Sequence, residues 1–362
     1  MTTIQVTTAA KSYAVTIEAG LLARVGTALA QVWTPRQVAV ITDTNVGPLY
    51  AQQVRDRLIA AGFRVTVLTV PAGESSKSWP QVMRLIDALS AAHLTRSDGV
   101  LALGGGVVGD LAGFVAAIYL RGIAFAQVPT SLLAQVDSSV GGKTAIDLPT
   151  GKNLVGSFYQ PDVVLIDPHT LTTLPPRMLV EGYGEIVKCA ALVGGDFWAL
   201  VQQVTQPAAI LAQATPLIHQ SIAFKARVVM ADEKEGGQRQ LLNFGHTLGH
   251  AVELWGHGRY MHGEAVAIGL VQVARLFAAQ GMMPVALADQ LRDRLTAVGL
   301  PVALPADLTV TALLAAMQHD KKIHGQALTW VYLTAIGQPA MHAVPLTDLA
   351  TWIAPVTGPL HP

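Results

Sequence analysis

One cysteine, Cys189, stands in 362 residues. That excludes an internal disulfide framework and a thiolate zinc site. Charge is also scarce. Only 13% of residues are Asp, Glu, Lys or Arg, and 24 basic residues balance 24 acidic ones. A dedicated nucleic-acid binder would show a basic surplus, and the balance suggests neither an acidic tail nor a polybasic membrane anchor. Long unbroken apolar runs are missing too, although 51% of the chain is hydrophobic. The segment from Gly99 to Leu120 is broken by Asp110 and six glycines, and that from Ala265 to Ala288 carries Arg275 and Pro284. Both read as buried elements of a folded core rather than membrane spans. The opening "MTTIQVTTAAKSYAV" lacks the apolar stretch of a signal peptide. A cytoplasmic enzyme is the expectation.

What is present divides the chain in two. "QVAVITD", "RVTVLTVP", "GVLALGGG", "AFAQVPT" and "DVVLID" are strand-like runs, and helical patterns such as "SWPQVMRLIDALSAAH" separate the first of them. Apolar strands alternating with helices of this length predict a parallel α/β sheet covered on both faces. "IQV" and "YAVTIEAG" add a candidate hairpin at the start. From about Pro175 the pattern is helical, and only "ALTWVYLTAIG" reads as a later strand. The expected domains are 1–172 and 173–362. Residues 135–160, rich in Gly, Ser, Asp and Lys, read as a long loop, a type that is often functional.

The glycines of "LALGGGVVGD" at 104, 106 and 109 satisfy G-x-G-x-x-G after a strand, where helix N-terminal N–H groups can cradle a pyrophosphate. They follow the third strand rather than the first, unlike the usual dinucleotide fingerprint, and a tight turn with close packing fits equally well. "AGESSK" also follows a strand, and Asp43 ends one at a place where ribose-binding acids lie. Lys143 and Lys152, embedded in Gly/Ser segments of a charge-poor chain, suggest an anion site or simply solvated lysines. "EGYGEIVK" puts Glu181, Glu185 and Lys188 on one helix, as a site or as a surface ion pair. His246 and His250 lie one turn apart in "LLNFGHTLGHAVE", with His262 close behind in "RYMHGEA". With Glu185 they offer two or three imidazoles and a carboxylate, a set that suits a metal with an open position. H-x-x-x-H lacks the glutamate of a zincin protease. Arg239 and Asn243 precede His246 at one-turn intervals, which predicts one continuous helix edge. "HDKKIHG" contributes Lys321 and Lys322.

Taken in order, "GGGVVGDLAGFVAA", "RGIAFAQVPTSLLAQVDSSVGGKTAID", "GKNLVGSFYQP", "LPPRMLVEGYGEIVK", "LLNFGHTLGHAVE", "HGEAVAIG" and "DKK" resemble the 3-dehydroquinate synthase family of sugar-phosphate cyclases. The resemblance runs from about residue 37 to 337. It departs at Tyr183-Gly184, where the family often has leucine and alanine. It implies an N-terminal Rossmann-like parallel-sheet domain, a mainly α-helical C-terminal domain, a cleft active site between them, and a homodimer. The implied cofactors are NAD and a divalent metal, zinc first and cobalt as the alternative. The metal ligands would be Glu185, His246 and His262. NAD would be held by Asp43, by Gly73, Glu74, Ser75, Ser76 and Lys77, and by Gly105, Gly106, Val107, Val108, Gly109 and Asp110. Thr130 and Ser131, Lys143 and Lys152, and Thr170, Leu171, Thr172 and Thr173 would complete that site.

Substrate would meet Asp137, Asn153, Lys188, Lys225, Arg239, Asn243, His250 and one of Lys321 and Lys322. Arg121 would reach the site of a partner copy. The implied reaction converts 3-deoxy-D-arabino-heptulosonate 7-phosphate to 3-dehydroquinate and phosphate, by transient oxidation, phosphate elimination, re-reduction and aldol closure. Lys152, Arg121 and a tandem lysine would face the phosphate, and Lys225 and Arg239 the carboxylate. The rivals are a cyclase making an inosose or a valiolone, a metal-dependent polyol dehydrogenase of the same fold, and an inactive binding protein. The small phosphorylated sugar acid is the expected partner, with no nucleic acid and no membrane.

Overall fold

The computed structural model describes residues 1–317, 323–324 and 326–357. Lys321 and Lys322 lie outside the described residues. The chain forms two compact units, residues 1–174 with 225–234, and 175–224 with 235–362. No helix among the described residues is long and apolar enough to cross a membrane.

The first unit contains β1 (Thr2–Thr7), β2 (Ser12–Ile17), α1 (Val25–Ala30), β3 (Gln37–Asp43), α2 (Gln52–Ala60), β4 (Arg64–Val70) and α3 (Trp79–Ala91). β5 (Gly99–Gly104), α4 (Gly106–Ile118), β6 (Ala124–Pro129), β7 (Lys143–Leu148), β8 (Gly151–Phe158) and β9 (Val163–Ile166) follow. Seven strands form one sheet in the order β1-β2-β9-β6-β5-β3-β4, parallel except for the β1–β2 hairpin. The β-branched runs explain the burial. Ala39, Ile41, Val100 and Ala102 enter one apolar cluster, while Val38, Val40, Leu101 and Leu103 enter another. Alternate side chains therefore feed cores on opposite faces of the sheet. The chain runs from β3 outward to β4, then returns to β5 on the other side of β3. That reversal is a topological switch point, where crevices form beyond the strand C-termini.

Residues 135–160 are not one loop. They fold as a helical turn (Ala134–Ser138) and the hairpin β7–β8, with Leu148 paired to Gly151 around Pro149 and Thr150. Glycine, serine and lysine disguise these strands because most of β8 faces solvent.

The second unit contains α5 (Pro176–Val193), α6 (Gly195–Gln202), α7 (Pro207–Ala212), α8 (Ala214–Ala231), α9 (His246–Trp255), α10 (His262–Ala279), α11 (Val285–Thr296), α12 (Val310–Met317) and α13 (Leu349–Thr357). Residues 225–234 cluster with the first unit, so only the first part of α8, 214–224, is counted in the second. α10 is buried almost all round, as expected of a central helix, and packs on α5, α9, α11 and α13. A small antiparallel sheet joins β10 (Ile323–His324), β11 (Ala327–Ala335) and β12 (Gln338–Pro345). β12 is a correction to the single late strand expected. "QPAMHAVP" contains two prolines and only Val344 is buried, so its sequence carries little apolar alternation.

The stretch from Arg239 to His250 is a second correction. Arg239 and Asn243 belong to a separate 3-10 turn, Gln238–Asn243. The chain then extends at Phe244, passes through Gly245 at φ 78°, and α9 starts at His246. A left-handed residue ends a right-handed helix, and Gly245 is needed because a Cβ there would lie 2.8 Å from both the nitrogen and Cγ of Leu270.

Candidate active-site residues and their setting

In the second unit, three helices each bring one ligand-bearing side chain to a common point. Glu185 lies mid-way along α5, His246 opens α9 and His262 opens α10. Nε2 of His246 is 3.3 Å and Nε2 of His262 is 3.5 Å from Oε1 of Glu185. One donor atom from each of the three lies within 4.8 Å of the others. Glycine makes this approach possible. A Cβ on Gly263 would sit 1.8 Å from the carbonyl oxygen of Glu181, and one on Gly184 would sit 2.6 Å from that of Gly263.

Glu185 is 1% exposed, and neither carboxylate oxygen has a hydrogen-bond partner of normal geometry. Lys188 Nζ, one turn along α5 and 2% exposed, lies 2.5 Å from Oε2. Burial alone would raise the Glu185 pKa, but the Lys188 charge and the two imidazoles hold it well below the usual carboxylate range. Burial and the Lys188 charge push His246 down. His262 moves the other way: burial opposes its protonation, but hydrogen bonds to Glu185 and Glu253 outweigh that and raise it well above the ordinary value. A charged buried carboxylate facing two imidazole Nε2 atoms is a donor set of the right number and chemistry for a divalent metal.

His250 is exposed on the next turn of α9, its ring centroid 5.0 Å from that of His246 and 5.8 Å from that of His262. Arg239 is 1% exposed. Asn243 Nδ2 donates to Glu235 Oε1 at 3.4 Å.

In the first unit, Asp43, residues 73–77, residues 105–110, Thr130 and Ser131 lie at or just beyond the C-terminal ends of β3 to β6, whereas Lys143 and Lys152 are on β7 and β8 and residues 170–173 follow β9. The β5–α4 turn places Gly105 to Asp110 at the switch point, and Thr130 N–H donates to the Gly104 carbonyl at 2.9 Å. Thr130 and Ser131 are buried there. Val107 is half-buried, while the side chain of Val108 is committed to the core, which leaves only its backbone for a ligand. Asp43 Oδ1 accepts the N–H groups of Asn45 and Val46 at 2.8 Å each, so it shapes the turn after β3.

Gly73 and Ser75 are exposed and Ser76 is buried. Lys77, 4% exposed, donates to Asp110 Oδ2 at 2.9 Å and to Asn153, with Glu74 at 3.4 Å and Asp147 at 4.0 Å. Burial pushes Asp110 up to about 6 against the opposing pull of Lys77. Lys152 reaches Glu74 at 3.9 Å, and Lys143 and Arg121 are exposed. Leu120, Arg121 and Gly122 are three consecutive residues with positive φ.

Lys225 Nζ donates to the Asp137 carbonyl at 2.5 Å and to Oδ1 at 2.6 Å. Thr170 hydroxyl donates to Asp167 and accepts from Gln135, and Leu171 is buried, so both side chains are structural. Thr172 is exposed, and Thr173 meets Tyr50 OH at 2.6 Å.

Two family models cover most of the chain: the 3-dehydroquinate synthase N-terminal model at residues 67–181 and the C-terminal model at 182–323. A 3-dehydroquinate synthase of Lactiplantibacillus plantarum is 70% identical over 353 residues, 98% of each chain. The chain belongs to the 3-dehydroquinate synthase family. Solved cyclases share its fold. A 2-deoxy-scyllo-inosose synthase complexed with carbaglucose-6-phosphate, NAD+ and Co2+ superposes with a TM-score of 0.88 at 28% identity, covering 97% of this chain and 99% of that one. A 2-epi-5-epi-valiolone synthase from Streptomyces hygroscopicus, with NAD+ and Zn2+ bound, has a TM-score of 0.86 at 27% identity, covering 96% and 97%.

Sequence reasoning placed Glu181 on the helix of Glu185 without a partner, and it missed Glu253. Glu181 Oε2 accepts Gly263 N–H at 3.0 Å, and Glu253 Oε2 lies 3.0 Å from His262 Nδ1. The signal for Glu253 was its place on the face of His246, seven residues on.

Proposed function

We propose that the chain converts 3-deoxy-D-arabino-heptulosonate 7-phosphate to 3-dehydroquinate and inorganic phosphate, in the cytoplasm and as a homodimer. The observation that carries this reading is the buried Glu185–His246–His262 set, found in a member of this family. Residues 1–172 would bind NAD, and 173–362 would bind metal and substrate. When bound, NAD supplies a reversible hydride acceptor, and a zinc or cobalt ion supplies a Lewis acid that lowers a hydroxyl pKa.

The chain's own residues do the rest. Glu185, His246 and His262 hold the ion, with Lys188 keeping Glu185 ionised. The glycine turn at 105–109 offers backbone N–H groups to the cofactor phosphates, with Lys77, Asp110, Thr130 and Ser131 around it. Arg239 and Lys225 bind the substrate carboxylate by charge-assisted hydrogen bonds, and Asn243 and Asn153 bind hydroxyls. Lys225 would exchange its bonds to Asp137 for that carboxylate. Lys152 and Arg121, the latter from a partner copy, bind the phosphate together with Lys321 or Lys322. His250 passes a proton to and from a substrate hydroxyl or phosphate oxygen. The departing phosphate can accept the proton of the elimination, so no further protein base is needed.

The test follows phosphate and NADH together. With substrate, NAD and zinc, phosphate release without net NADH is expected, and chelator should stop it. NADH build-up on glycerol would mark a polyol dehydrogenase instead. For the dimer, Arg121→Ala mixed with Glu185→Ala should regain activity once subunits exchange. No recovery despite exchange would refute a role across the interface.

A further inference from the structure

We propose that Glu253 is a positioning residue that orients the His262 imidazole so that Nε2 is presented to a divalent metal. This rests on the reading of Glu185, His246 and His262 as metal ligands. Among those three, His262 has the most exposed side chain, at 29% against 10% and 1%. Its backbone is well held. Glu181 accepts Gly263 N–H at 3.0 Å, and Glu264 accepts Met261 N–H at 2.9 Å while binding Arg177 through both oxygens. None of these contacts sets the ring, which is still able to turn about its own side-chain bonds.

The ring is set from a different helix. Nδ1 of His262 lies 3.0 Å from Oε2 of Glu253 on α9, a side chain only 13% exposed. The contact at Nδ1 turns the other ring nitrogen, Nε2, toward Glu185 Oε1 at 3.5 Å, and Nε2 is the nitrogen a metal would take when Nδ1 gives its hydrogen to Glu253. His246 is held the same way by another route: its Nδ1 is 3.1 Å from the Phe244 carbonyl oxygen, an acceptor only. Both imidazoles are thus held at Nδ1 and present Nε2. The Phe244 acceptor is backbone and survives any substitution, whereas Glu253 can be removed. A carboxylate on the far nitrogen fixes the tautomer and makes the ligating nitrogen more basic. One helix then carries a ligand, His246, and two turns on the group that aims another ligand.

The experiment measures zinc affinity of the full-length protein by competition with a chromogenic chelator, beside Glu253→Ala, Glu253→Gln and His262→Ala. Glu253→Ala should weaken zinc binding about 10- to 100-fold. Glu253→Gln, whose amide oxygen can still accept the Nδ1 hydrogen, should recover part of that loss. The proposal is overturned by Glu253→Ala binding zinc within about twofold of wild type, by equal losses in the two Glu253 variants, or by a loss as complete as in His262→Ala, which would make Glu253 a ligand.

Nitrogen NMR of the zinc-loaded wild type gives a check that needs no Glu253 variant to fold. Nδ1 of His262 should be protonated and Nε2 metal-bound, and the reverse would overturn the proposal. Wild-type protein that binds no stoichiometric zinc would remove the metal reading and this inference together. Zinc binding that His262→Ala abolishes and Glu253→Ala spares would remove only this inference.

Discussion

Each unit buries a lysine beside a carboxylate, and the two settings are opposites. In the first unit, the buried Lys77 ammonium faces Asp110, Glu74, Asp147 and the Asn153 amide. Carboxylates outnumber the ammonium they surround, and burial lifts Asp110 to about 6 against the pull of Lys77. In the second unit, the buried Glu185 carboxylate faces Lys188, His246 and His262. Bases are in surplus, and the acid stays charged. The difference teaches which centre has nitrogen lone pairs to give to a cation. It is the second, where imidazoles rather than further carboxylates surround the charge.

The largest expected effect is at the ligands. His262→Ala should lose stoichiometric zinc, read by metal analysis, and lower kcat/KM by about 10³-fold or more, since metal assistance is worth several kcal/mol. Retained zinc would break the contrast between the centres. Next comes the pair Lys188→Met and Lys77→Met, compared by urea denaturation of the metal-free protein near neutral pH. Lys188→Met leaves a buried carboxylate without its cation and should cost about 3–5 kcal/mol. Lys77→Met should cost about 1–2 kcal/mol, because Asp110 can take up a proton and its neighbours can rehydrate. Equal costs would show the two lysines to be equivalent.

Glu181 tests burial that outweighs a Gly263 N–H bond and the nearby His262. Burial raises its pKa to about 7, the folded state holding a proton that the unfolded chain has already lost. Stability therefore falls as pH rises from the ordinary carboxylate range to about 7, and the penalty is complete above that. Glu181→Gln should gain about 1–3 kcal/mol near pH 8 and nothing near pH 4.5, measured by denaturation across pH. A gain independent of pH would point to packing instead. The smallest effect is expected at Asp43→Ala, which frees two backbone N–H groups in a turn and should cost about 1 kcal/mol with weakened NAD binding by calorimetry.

The sheet was legible because β3, β5 and β9 are unbroken β-branched or leucine-rich runs, the mark of strands buried on both faces. β8 and β12 were not legible, since exposed strands need little apolar alternation. The convergence of Glu185, His246 and His262 could be suspected from residue type and spacing. The broken helix before His246 could not, because only the packing of Leu270 shows that Gly245 must turn left-handed. Glu253 and the partner of Glu181 escaped notice for a related reason. Both contacts, to His262 and Gly263, are reached through space by helix packing, and no periodicity within one segment reports that.

The contact between Gly263 and the Glu181 carbonyl leaves no volume for a methyl group. The place of His262 is thus fixed by two backbones in touch, and no rotamer can absorb a change there. Inheritance of metal chemistry in this lineage would then be policed at a residue that gives no atom to the metal, where the mildest side chain in the genetic code is already too large.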